Sequence, residues 1–155
     1  MGKVKIIGTV FILAAAATLA LSILPVRPAT AEDVARPSQA GGPGTAATLP
    51  GDAAAGAKTF ATNCLPCHGA LGKGGIPNPG STDGTVPPLN PIDPTIANKD
   101  PKVFAYNVDL FLQNGSRPDG PQPAISMPAW GANKMLTQQQ IADVIAYIIS
   151  LNTGK

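Results

Sequence analysis

Apolar residues recur at helical spacing in three stretches of the chain, and a fourth stretch is apolar along its whole length. In the first of the periodic stretches, Asp52 is a good N-cap for Ala53, Ala54 and Ala55, and the pattern predicts a helix over Asp52–Asn63. Gly56 lies inside it, where glycine costs helix propensity, so a close packing contact is expected there. Phe60 follows four residues later on the same face. The second helix is predicted over Asp100–Asn114. Asp100 caps it, Pro101 takes the first helical position and Gly115 closes it. Its apolar face is Val103, Phe104, Val108 and Phe111, with Leu112 beside it. The third is predicted over Thr137–Leu151. Thr137 and Gln140 form a capping box, and Ile141, Val144, Ile145, Ile148 and Leu151 form a core-packing stripe. The segments between, 69–98 and 116–135, are rich in Pro and Gly and read as loops. A loop as long as the first is unusual in a compact domain unless it is functional. The expectation is an all-α domain of three main helices with long connecting loops.

The continuously apolar stretch is Ile6–Leu24, uncharged, with Lys3 and Lys5 before it and Pro25 after it. Residues 1–25 are therefore expected to be a signal peptide or a transmembrane anchor. Ala29-Thr30-Ala31 resembles a signal-peptidase site, which favours cleavage. The run exceeds a usual signal core of roughly 7–15 residues and suits a membrane span of about 17–25, which favours retention. The two lysines place the N-terminus inside and the rest of the chain outside the cytoplasm on either reading. Residues 26–50 have no apolar periodicity and read as a flexible Pro/Ala/Gly-rich linker, about 25–30 Å long on average as a coil. Residues 51–155 are left as the folded domain.

Composition changes this picture little. With 155 residues the chain accommodates one domain and its appendages. From Gly51 onward seven Lys and Arg are balanced by seven Asp. That balance shows no footprint for nucleic acid and no basic patch to steer an acidic partner.

The candidate chemistry is concentrated in Cys64-Leu65-Pro66-Cys67-His68. C-x-x-C-H is the attachment pattern for haem c. Thiols at this spacing can each add to one porphyrin vinyl group, and the next residue puts an imidazole under the iron. Zinc is an alternative, but a structural site takes four ligands and the motif supplies three. A redox dithiol is another, but it would sit after a strand rather than after an alanine-rich helix. His68 is the sole histidine. A sixth iron ligand would therefore be a thioether, an amine, an exogenous molecule, or absent. Met/His ligation is the usual electron-transfer choice and raises the potential.

The order helix, C-x-x-C-H, long loop, helix, Met loop, helix resembles the class I monohaem cytochromes c over about Gly51–Asn152. The residues that carry the likeness are Gly51–Gly56, Phe60, Cys64–Gly69, Met127-Pro128-Ala129-Trp130 and Ile141–Ile148. The resemblance implies the class I cytochrome c fold around one covalent haem c, with His68 as proximal ligand. It implies that the first and last helices cross, with Gly56 and Phe60 against Val144 and Tyr147. In Pro87-Pro88-Leu89 it implies a Pro87 carbonyl that accepts from the His68 Nδ1-H, and a Leu89 packed on the porphyrin. It places the axial sulfur at Met127, with Met135 as packing filler, and sets Trp130 in the pocket wall. The long loop around Pro87 is similar to that of the monohaem cytochrome c subunit of bacterial alternative complex III, a membrane quinol-oxidising assembly. The function implied is one-electron transfer without enzymatic turnover, at an extracytoplasmic membrane face, with redox proteins as partners. A soluble periplasmic carrier is the alternative if the leader is cleaved. A haem sensor or peroxidase would need a displaceable sixth ligand, and no distal histidine exists to assist a peroxidase.

Overall fold

The computed structural model describes residues 1–2 and 41–154. All but the first two residues of the expected anchor, 1–25, and most of the expected linker lie outside the described residues. Among the described residues the order is a 3-10 turn at Ala46–Thr48, α1 (Ala53–Asn63), α2 (Leu65–His68), a second 3-10 turn at Ala70–Gly72, α3 (Pro101–Asn114) and α4 (Gln138–Thr153), with loops between. They contain no strand, only isolated bridges at Pro77 with Thr85 and Ser116 with Met127.

The caps do what their chemistry dictates. The Asp52 carboxylate accepts from the amides of Ala54 and Ala55, and Asp100 accepts from Lys102. In α4 the capping box is complete: Thr137 and Gln140 each accept from the other's backbone amide. Each cap satisfies amides that the first helical turn leaves unpaired.

Helices α1 and α4 cross at Gly56. A methyl group there would lie 1.9 Å from the Asp143 carbonyl oxygen and 3.0 Å from Tyr147 Cβ. The Phe60 and Tyr147 rings meet edge to face beside this contact, with centroids 5.2 Å apart. Helix α3 packs on α4 through Phe104, Val108 and Leu112, which share one core with Ile141, Val144, Ile145 and Ile148.

Two expectations need correction. The linker does not reach residue 50: Ala46 is buried in the core. The Gly44 amide donates to Asp109 at 2.7 Å, and the Ala46 amide to Gln138 at 3.1 Å. Composition alone could not reveal that residues 44–49 form a strap across α3 and α4. Helix α3 is also buried beyond its apolar stripe, at Asn107, Asp109, Leu110 and Gln113. Asp109 and Gln113 lie in the polar network beneath the strap, and Asn107 bonds the Ile96 carbonyl of the long loop.

Candidate cofactor site

The C-x-x-C-H residues begin where α1 ends. The Cys64 amide still donates to the Phe60 carbonyl, and His68 donates back to Cys64, so the motif is wound as the short helix α2. The winding turns both sulfurs and the imidazole towards one cavity of about 670 Å³. That is within the roughly 300–1,000 Å³ of cofactor-sized sites.

The opposite wall is brought up by glycines. Gly72 has φ +68°, and its carbonyl accepts from Leu89 and Asn90 at 2.7 and 3.0 Å. Gly74, also at φ +68°, donates to the His68 carbonyl at 2.7 Å. A side chain at Gly74 would strike Pro88 backbone at 2.6 Å. These contacts fold Pro87-Pro88-Leu89 back over the motif, and Pro87 and Leu89 both line the cavity.

The remaining wall is the loop before α4, held by the end of α3. Ser116 and Met127 exchange both backbone hydrogen bonds, at 3.1 and 2.8 Å. Further along, the Gly131 and Ala132 amides donate to the carbonyls of Leu112 and Gln113. Met127 and Trp130 thereby line the cavity. Met135 does not line it, and at 53 % exposure it is not the packing filler expected of it.

All seven residues singled out from sequence, Cys64, Cys67, His68, Pro87, Leu89, Met127 and Trp130, therefore meet in one cavity. Sequence gave no signal for Asn78, fully buried in the same wall. Its amide bonds both the carbonyl and the N–H of Ile125, 47 residues away, and so ties the two long loops together.

The electrostatics suit a cofactor held by neutral groups. Burial, reinforced by neighbouring Cys67, pushes the Cys64 thiol up to about 12. A thiol so placed is not the lowered, reactive thiolate of a redox dithiol. Among the described residues no group of three His, Cys, Asp or Glu side chains is arranged to hold a metal ion. Burial lowers the His68 pKa, and the adjacent Pro87 carbonyl opposes the shift. The neutral imidazole, the ligand form, is favoured. The Nδ1 atom is buried beside that carbonyl without a hydrogen bond of good geometry. A ligating histidine commonly donates its other ring N–H to a carbonyl, and Pro87 stands beside His68 for that role. Cys64, Cys67, His68 and the largely apolar wall thus fit a covalently held porphyrin.

Comparison with known proteins agrees with the geometry. A family model described as cytochrome c matches residues 53–152. No curated protein and no solved structure matches.

Proposed function

Because the chain belongs to the cytochrome c family, whose members carry covalent haem c and transfer electrons, we propose that it is a one-electron carrier with iron held between His68 and Met127. The observation that carries this reading is the cavity itself, with Cys64, Cys67 and His68 on one wall and Met127 on the loop gripped by α3. When bound, the haem supplies an iron that cycles between ferric and ferrous states.

The protein's own groups divide the remaining work. Each thiol adds its S–H across one vinyl C=C, so the sulfur bonds carbon and the proton goes to the other carbon, with no net oxidation. His68 offers a neutral imidazole whose Nδ1–H the adjacent Pro87 carbonyl would accept. Met127 offers a thioether, a soft ligand that favours the ferrous state and raises the potential. Leu89, Ile92, Val108, Leu112 and Trp130 contribute apolar wall that keeps water from the iron and disfavours the more charged ferric form.

The place of action belongs to the same proposal. The run 6–24, long enough to span a bilayer, supports a retained anchor with the domain outside the cytoplasm. Among the described residues no helix is long and apolar enough to cross a membrane. Anchoring would raise the domain's effective concentration near membrane partners. The elaborate 78–91 loop supports a role as subunit or tethered shuttle of a quinol-oxidising respiratory complex. Cleavage after Ala31 would instead leave a soluble periplasmic carrier. Potentiometric titration of the holoprotein tests the electron-transfer reading. It predicts a single reversible one-electron wave, with a sulfur-to-iron charge-transfer band in the ferric form only. A ferric form that is high-spin and lacks that band would count against it.

A further inference from the structure

Two parts of the chain that are far apart in sequence press on one side chain. Gln113 is 7 % exposed, near the end of α3. A methyl group on Gly44, in the strap, would lie 2.3 Å from Gln113 Nε2 and 2.4 Å from Gln138 Oε1. A methyl group on Gly131, in the loop that carries Met127, would lie 1.8 Å from Gln113 Oε1. In both places the backbone packs against the end of the Gln113 side chain, so a larger residue at Gly44 or Gly131 would have to displace it.

The polar partners are as constrained as the packing. Gln113 Nε2 donates to Asp109 Oδ1 at 2.9 Å and to Gln138 Oε1 at 3.0 Å. Gln138 Nε2 donates back to Gln113 Oε1 at 3.2 Å. Gln138 Oε1 also accepts from the Ala46 amide, and Asp109 Oδ2 from the Gly44 amide. The Gln113 carbonyl accepts from Ala132 at 3.1 Å, and Leu112 accepts from Gly131 at the same distance. A partly buried network of this kind has little slack, because a displaced member leaves a polar group unpaired.

The geometry points to Gln113 as a positioning residue that couples the docked strap 44–49 to the Met127–Ala132 loop. With the strap in place, Asp109 and Gln138 hold the Gln113 amide, and the amide packs against Gly131 in the loop that carries Met127. If the strap lifts, Gly44 and Ala46 leave, Gln113 regains rotamer freedom, and the loop loosens. The strap is where the polypeptide enters the domain, so tension or a partner acting on that entry reaches the sixth ligand. This inference rests on the reading of Met127 as axial ligand.

The experiment uses full-length holoprotein and imidazole as the competing probe for the ferric sixth position. Gln113→Leu removes the amide, and Ala46→Gln overfills the buried seat of the strap. Each should tighten imidazole binding roughly tenfold, the equivalent of one buried hydrogen bond, with the charge-transfer band intact before imidazole is added. The double variant should bind no more tightly than the stronger single one, because both act through one route. Additive effects, or unchanged affinity in either variant, would overturn the coupling. If Gln113→Leu yields no holoprotein, Gln138→Leu takes its place in the cycle, since it removes the acceptor shared by Ala46 and Gln113. Met127→Ala separates the two failures. A band retained in that variant defeats the ligand reading and this inference together. A band lost there, with imidazole affinity unmoved in the strap variants, defeats the coupling alone.

Discussion

Gly56 and Asp143 approach so closely that a methyl group on Gly56 would lie 1.9 Å from the Asp143 carbonyl oxygen. The obstacle is backbone, which cannot rotate away as a side chain can. Gly56→Ala must therefore push α1 from α4 and disturb the adjacent Phe60–Tyr147 pair. Overpacking of this kind costs about 1–3 kcal/mol. In a domain near 100 residues each kcal/mol lowers Tm by roughly 4–8 °C. Thermal unfolding of the variant should show that fall. A Tm equal to that of the parent would mean that the crossing is looser than described.

The strap network predicts a pH signature. Burial raises the Asp109 pKa, against the opposing hydrogen bonds from Gln113, Gly44 and Ala47. Between its unfolded and raised folded values the folded state binds more protons, so stability falls as pH rises through that window. The window opens near the ordinary carboxylate value of about 3.9 and extends upward. Asp93, lowered chiefly by the Thr95 side-chain hydrogen bond, has the opposite sign and is common to both proteins compared. The Tm of Asp109→Asn relative to the parent should therefore climb with pH across the window and then level off. A constant difference would remove Asp109 from the account.

Covalent attachment is separable from ligation. Cys64 is buried and Cys67 half-buried, and both line the cavity. In a host that assembles haem c, Cys64→Ala should still carry haem on the denatured chain through Cys67, at lower yield. The double variant should carry none. Haem staining after denaturing electrophoresis reads both outcomes. Staining that survives loss of both thiols would contradict the assignment.

What was legible in the sequence was local. Asp52, Asp100 and the Thr137–Gln140 pair announce their helices because a cap acts over two or three residues. The C-x-x-C-H pattern is equally compact, and the isolated Gly56 signalled a close approach. The strap was not legible, because its partners Asp109 and Gln138 lie 65 and 92 residues away. Nor was the burial of Gln113 and Asn78, polar residues held by distant loops. The short helix α2 was not legible, because its four residues, Leu65–His68, have no side-chain cap and are too few to show a helical period.

The two methionines of the folded domain give the most direct test of iron held between His68 and Met127. Met127 lines the cavity and Met135 is exposed outside it. The measurement is the ferric absorption spectrum of holoprotein carrying Met127→Ala or Met135→Ala. The account predicts that Met127→Ala abolishes the sulfur-to-iron charge-transfer band and lowers the reduction potential, while Met135→Ala changes neither. A band that survives Met127→Ala and disappears in Met135→Ala would contradict it.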